Sequence, residues 1–137
     1  MDPLSVTASI IAVLQLTNEV IQYLNYVKDA PKERARFAIE ASNLYNLLIN
    51  LQYRLEEGGA NEAWYTVIRT LNVHNGPLDQ YKNALEQLQR KVMSSSGLKS
   101  IASGLAWKFS REEVTSILSR MEHLKSLIQI ALEMDHL

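Results

Sequence analysis

The chain has 137 residues, 47% of them apolar and 21% charged, with a formal net charge of −1 and no cysteine. That length suits one domain with one real core, and that balance excludes a disordered chain and a broad basic footprint for nucleic acid. The missing thiols exclude disulfides, thiolate catalysis and thiolate zinc sites, and they fit a reducing compartment.

The opening stretch, MDPLSVTASIIAVLQLTNEV, carries no charge between Asp2 and Glu19. Asp2-Pro3 reads as an N-cap followed by proline at the first helical position, and predicts a helix running to about Lys28. A secretory signal needs cations before its apolar segment, whereas the first cation here is Lys28. A membrane span needs about 20 mostly apolar residues; Ser5, Thr7, Ser9, Gln15, Thr17 and Asn18 interrupt this one. On a helical wheel Leu4, Ile11, Leu14 and Val27 share a face with Ala8, Ile21 and Leu24, while Val6, Ile10, Val13, Leu16 and Val20 carry apolar surface further round. A helix apolar nearly all round is either buried in a core or in contact with lipid. Two roles therefore stand: the central helix of a bundle, or a helix that can be displaced and inserted without burying an unpaired charge. Val6, close to the helix end, is expected to accept a carboxylate in the folded state.

Asp29-Ala30-Pro31 stops the first helix and starts a second, from about Pro31 to Glu57. Its apolar stripe is Ala38, Ala41, Leu44, Tyr45, Leu48, Leu51 and Leu55, and Gly58-Gly59 supplies the left-handed C-cap. Asn61 caps a short third helix to about Leu71, carrying Trp64, Val67 and Ile68. His74-Asn75-Gly76-Pro77 is turn chemistry, and Pro77 opens a fourth helix with the stripe Leu78, Tyr81, Leu85, Leu88 and Val92. Ser94–Gly97 reads as a flexible loop, followed by one short helix around Ile101 and Leu105. Ser110-Arg111-Glu112-Glu113 is a capping box. It opens a long last helix whose inner face is Val114, Ile117, Leu118, Met121, Leu124, Ile128 and Ala131 or Leu132. Nothing alternates with period two for long enough to be a strand. The expectation is an all-α fold: a single bundle of four to six helices over residues 1–137, with a largely apolar N-terminal helix. Leu44, Leu48, Leu51, Tyr81, Leu85, Leu88, Ile117, Leu124 and Ile128 are expected to be buried against that first helix.

Catalytic chemistry is not legible. His74, His123 and His136 have no ligand spacing, and Glu133-Met134-Asp135-His136 is a single Glu-x-x-His where a helical di-iron site needs two. No P-loop and no nucleophile elbow occurs. Glu113 has its capping role, and Glu56-Glu57 reads as a solvated C-terminal turn. The chain is expected to be no enzyme and to need no cofactor or metal. Trp107, Lys108 and Phe109, with Lys99 and Arg111 nearby, combine aromatic and cationic side chains as a membrane interface or an anionic partner would require. The preferred reading is that Trp107 and Phe109 are core residues closing the bundle, beside solvated lysines.

The segment MDPLSVTASIIAVLQLTNEVIQYLNYVKDAPKE closely resembles the opening of the fungal STAND, or NLR-like, receptors that carry a NACHT nucleotide-binding module. ASNLYNLLINLQYRLEE, NGPLDQYKNALEQL, LAWKFSREEV and LSRMEHLKSLIQIALEMDH are similar to later blocks of the same N-terminal region, in the same order. The resemblance covers essentially the whole chain and is to the HeLo-like domain. It implies a helical-bundle effector of programmed cell death in fungal non-self recognition and incompatibility, cytoplasmic at rest and relocating to the plasma membrane on activation. In that picture the domain forms a homodimer or higher homo-oligomer, and its first helix is released onto lipid. Leu4, Val6, Ile10, Ile11, Val13 and Leu14 would be the lipid contacts, with Trp107, Lys108 and Phe109 as secondary candidates. Some toxic relatives carry an acid within the first helix, and Glu19 is the candidate here. Nucleotide would act only through a NACHT module absent from this chain, which reads as an excised effector domain. The other reading is a non-lytic helical adaptor that mediates homotypic or partner association alone.

Overall fold

The computed structural model describes residues 3–26, 32–58, 62–94 and 109–134. Five helices account for nearly all of them: α1 (Pro3–Tyr26), α2 (Lys32–Glu57), α3 (Glu62–Leu71), α4 (Pro77–Ser94) and α5 (Arg111–Met134). There is no strand among the described residues, and the fold is an all-α helical bundle. The helix ends follow the punctuation in the sequence. Gly58 takes a φ of +69° just past α2, which costs glycine little. At the turn before α4, Asn75 adopts a φ of +59° and its N–H donates to Asp79 Oδ2 at 2.9 Å. Gly76 is required there, because a Cβ would stand 2.7 Å from Val73 Cγ2 and 2.8 Å from its carbonyl oxygen. The capping box forms in both directions: Glu113 N–H donates to Ser110 Oγ and Ser110 N–H to Glu113 Oε1, each at 3.1 Å. Ser94, read as the start of a loop, is the last residue of α4. The short helix expected around Ile101 and Leu105, with Trp107 and Lys108, lies outside the described residues.

The four long helices form a ring in which α1 packs on α2 and α4, and α5 packs on the same two from the opposite corner. The short α3 lies against α5 and α4. Trp64 on α3 is fully buried and donates its indole N–H to Ala131 O at 2.9 Å. The link from α2 to α4 must cross a diagonal of the ring, and the segment containing α3 makes that crossing. The nine residues expected in the core, from Leu44 to Ile128, are all fully buried, whereas Ala38 and Tyr45 of the α2 stripe are half-buried. The setting of the nine differs from expectation in one respect. Ile117, Leu124 and Ile128 belong to α5, which sits on the corner opposite α1 and packs chiefly on α2 and α4. The first helix is thus one corner of a ring and not its centre.

Candidate functional site: the first helix and its seat

One face of α1 is buried: Val6, Ile10, Val13, Leu14, Thr17, Val20 and Leu24. The opposite face is exposed and carries Ser5, Ala8, Ile11, Ala12, Gln15, Asn18, Glu19, Gln22 and Asn25. This corrects the expectation of a helix apolar nearly all round. Alanines and amides read as near-neutral on a wheel, but in the bundle they form a continuous, mildly polar outer face. Of the residues expected to meet lipid, Val6, Ile10, Val13 and Leu14 are therefore sequestered in this state, and Ile11 is 38% exposed. The side chain of Leu4 lies outside the described residues. Val6, at 2% exposure, is no hydrated end position. Packing of the first two turns against the neighbouring helices overrides end fraying, so a carboxylate there would be buried unpaired.

Polar contacts tie α1 to its neighbours. Thr17 is fully buried, the one such polar residue among those described. Its hydroxyl lies 2.7 Å from Val13 O and 2.9 Å from the Tyr81 hydroxyl. Burial pushes the Tyr81 phenol well above its usual range, partly offset by the Thr17 hydrogen bond. Further along, Gln89 Nε2 donates to Glu19 Oε2 at 3.2 Å. At the end of the helix Arg34 donates to Leu24 O at 3.1 Å, a cation satisfying one of the orphan carbonyls at a C-terminus. Glu19 is the single charged residue in α1. It makes no ion pair, so among the described residues no ion pair reaches this helix.

The rest of the ring is held differently. Lys91 of α4 pairs with Glu113 of α5, and Gln87 donates to the same carboxylate at 3.1 Å. The Lys91 hydrogen bond, then the Ser110 backbone N–H, lower the Glu113 carboxyl to about 2. Lys125 of α5 donates to Glu40 of α2 at 3.2 Å and to Glu122 at 3.0 Å, and these carboxylates raise its ammonium above its usual range. Phe109, one of the secondary lipid candidates, is half-buried against Phe37 with ring centroids 6.0 Å apart, and Lys91 stands 5.1 Å over its ring. In this state Phe109 closes the bundle.

Between α1 and α4 runs an open furrow of two depressions, about 460 and 280 Å³, which share Ala12 and Lys82. The small side chains of Ala8, Ser9 and Ala12 leave it unfilled. The described residues hold no group of three or more His, Cys, Asp or Glu placed to bind a metal ion. No described helix is long and apolar enough to cross a membrane. Sequence reasoning missed the burial of Thr17, although its signal was present: Thr17 lies on the same stripe as Val6, Ile10, Val13, Val20 and Leu24. No protein-family model, curated protein or solved structure matches the chain.

Proposed function

We propose that this is a membrane-targeting effector domain of the HeLo-like kind, a cell-death module of an NLR-like receptor in which α1 undocks and enters lipid by its apolar face. The observation that carries the reading is the asymmetry of attachment. Ion pairs join α5 to α4 and to α2, while α1 has one charge and, among the described residues, no ion pair. Removing α1 from the ring leaves three helices in contiguous packing. The magnitudes explain why α1 stays docked in water. Burying each of six Val, Ile or Leu side chains is worth about 1.5–3 kcal/mol, a sum on the order of 10 kcal/mol. That surface leaves only for an equally apolar one, and acyl chains qualify. With no cation between Pro3 and Tyr26, attraction to lipid comes from the apolar face and not from anionic headgroups. Since α1 is too polar to span alone, it acts as an amphipathic helix, several copies together, on a domain that is cytoplasmic at rest and moves to the plasma membrane. The adaptor reading is favoured by the burial of that same face, which leaves Ile11 as the one large apolar side chain exposed among the described side chains of α1.

Liposome leakage with α1 pinned separates the two. The chain has no cysteine, so Gln15→Cys and Gln89→Cys, which line the same depression, can be joined by a cleavable bismaleimide-type crosslinker. Leakage should vanish on crosslinking and return on cleavage. Equal leakage with α1 pinned, or none from the uncrosslinked chain, would move the assignment to the adaptor.

A further inference from the structure

Along the outer side of α4 the charges alternate in sign: Asp79, Lys82, Glu86 and Arg90. All four border the furrow against α1. Alternation at three- and four-residue spacing ordinarily closes into ion pairs within the helix. Here it does not. Lys82, Glu86 and Arg90 form no ion pair among the described residues, and Asp79 is engaged only at one oxygen, by the Asn75 N–H. The order of signs is also self-complementary. A two-fold axis crossing α4 near Ala84 and Leu85 sets a second α4 antiparallel to the first. It brings Lys82 against Glu86 of the second copy, and Asp79 against Arg90 of the second copy, each twice. Ala12 and Leu16 line the furrow on the α1 side, apolar surface against which the aliphatic stems of lysine and arginine can lie.

We infer that the α1–α4 face is a homotypic interface, on which a second copy of this chain docks antiparallel through Asp79, Lys82, Glu86 and Arg90. Such an isologous contact is the geometry of a two-fold dimer. Apolar surface does not make this contact, since Trp64 is buried and Ile11 is the one large apolar side chain exposed among the described side chains of α1. A contact built on exposed charges is modest in strength and weakens with salt. The inference does not rest on the membrane reading, and its test needs no lipid.

Sedimentation velocity on the 137-residue chain at low ionic strength should show a monomer–dimer equilibrium that shifts toward monomer as salt is raised. Lys82→Glu sets acid against acid across the axis, and Glu86→Lys sets cation against cation. Each alone should raise the dissociation constant at least about tenfold with helix content unchanged. Mixing the two variants restores both attractive pairs, so the mixture should dimerise as the parent does. If one variant misfolds, Arg90→Glu alone, which sets acid against Asp79 of the second copy, should weaken the dimer in the same way. A parent chain that stays monomeric up to millimolar concentration overturns the inference, as do variants that dimerise unchanged or a mixture that stays monomeric.

Discussion

α1 and α5 are both helices of 24 residues, and they bury one face each at opposite corners of the same ring. Their outer surfaces and their attachments differ. α5 carries Arg111, Glu112, Glu113, Arg120, Glu122, Lys125 and Glu133. It is ion-paired to α4 and α2 and hydrogen-bonded to the α3 tryptophan. α1 carries Glu19 alone, and its buried polar anchor is a neutral hydroxyl pair. Burial by itself does not distinguish the two helices; the distribution of charge does. A helix whose one charge is exposed and outside any ion pair among the described residues can change surroundings at little electrostatic cost, whereas α5 would have to carry Glu113 and Lys125 away from their partners.

The comparison can be broken most forcefully by emptying the core. Leu124→Ala on α5 removes a fully buried side chain and should cost about 2–5 kcal/mol. A urea melt should show one cooperative transition at lower midpoint, with every helix affected together. Val6→Asp on α1 should come next. It buries an unpaired carboxylate, at a cost of a few kcal/mol, and should loosen α1 more than α5. Ala12→Asp on the exposed face is its control and should lie within about 0.5 kcal/mol of the parent. Equal melts for the two variants would place Val6 in water and contradict the packing described above.

Smaller effects sharpen the contrast. Tyr81→Phe removes one hydroxyl of the anchor and leaves Thr17 bonded to Val13 O, so the loss should be about 0.5–1.5 kcal/mol. Because burial raises the Tyr81 phenol above its ordinary 10.0, its contribution is complete below that pH. It is lost as the unfolded phenol ionises, so stability should fall as pH rises past about 10. Tyr81→Phe should flatten that limb. Glu113 works in the opposite sense. Its carboxyl is held at about 2 against an ordinary 4.5, so its contribution is present above about 4.5 and lost as pH falls toward 2. Glu113→Gln should flatten the acid limb, seen in melts between those values, and should leave α1 untouched.

Much of the fold was legible because stop-and-cap chemistry is local. Gly58, Asn75-Gly76-Pro77 and the Ser110–Glu113 box act within four residues of themselves, and helical periodicity placed Leu44 through Ile128 on the inner faces. What was not legible is relational. Whether α1 sits at the centre or a corner depends on the diagonal crossing through α3, which no local pattern records. The outer face of α1 was misjudged for a similar reason: alanine fits either side of a helix, and only neighbours decide. The Thr17–Tyr81 pair joins residues 64 apart in sequence, and nothing near either residue predicts the other.

The claim that α1 is the separable helix is tested most directly by native-state hydrogen exchange in the absence of lipid. Amides of α1 between Ile10 and Val20 should open through a sub-global event and exchange at least about tenfold faster than those of α5 between Ile117 and Ile128, a gap of about 1.4 kcal/mol. Tyr81→Phe should widen that gap. Identical protection in the two helices, merging at the global unfolding free energy, would mean that the ring opens only as a whole and would contradict the account.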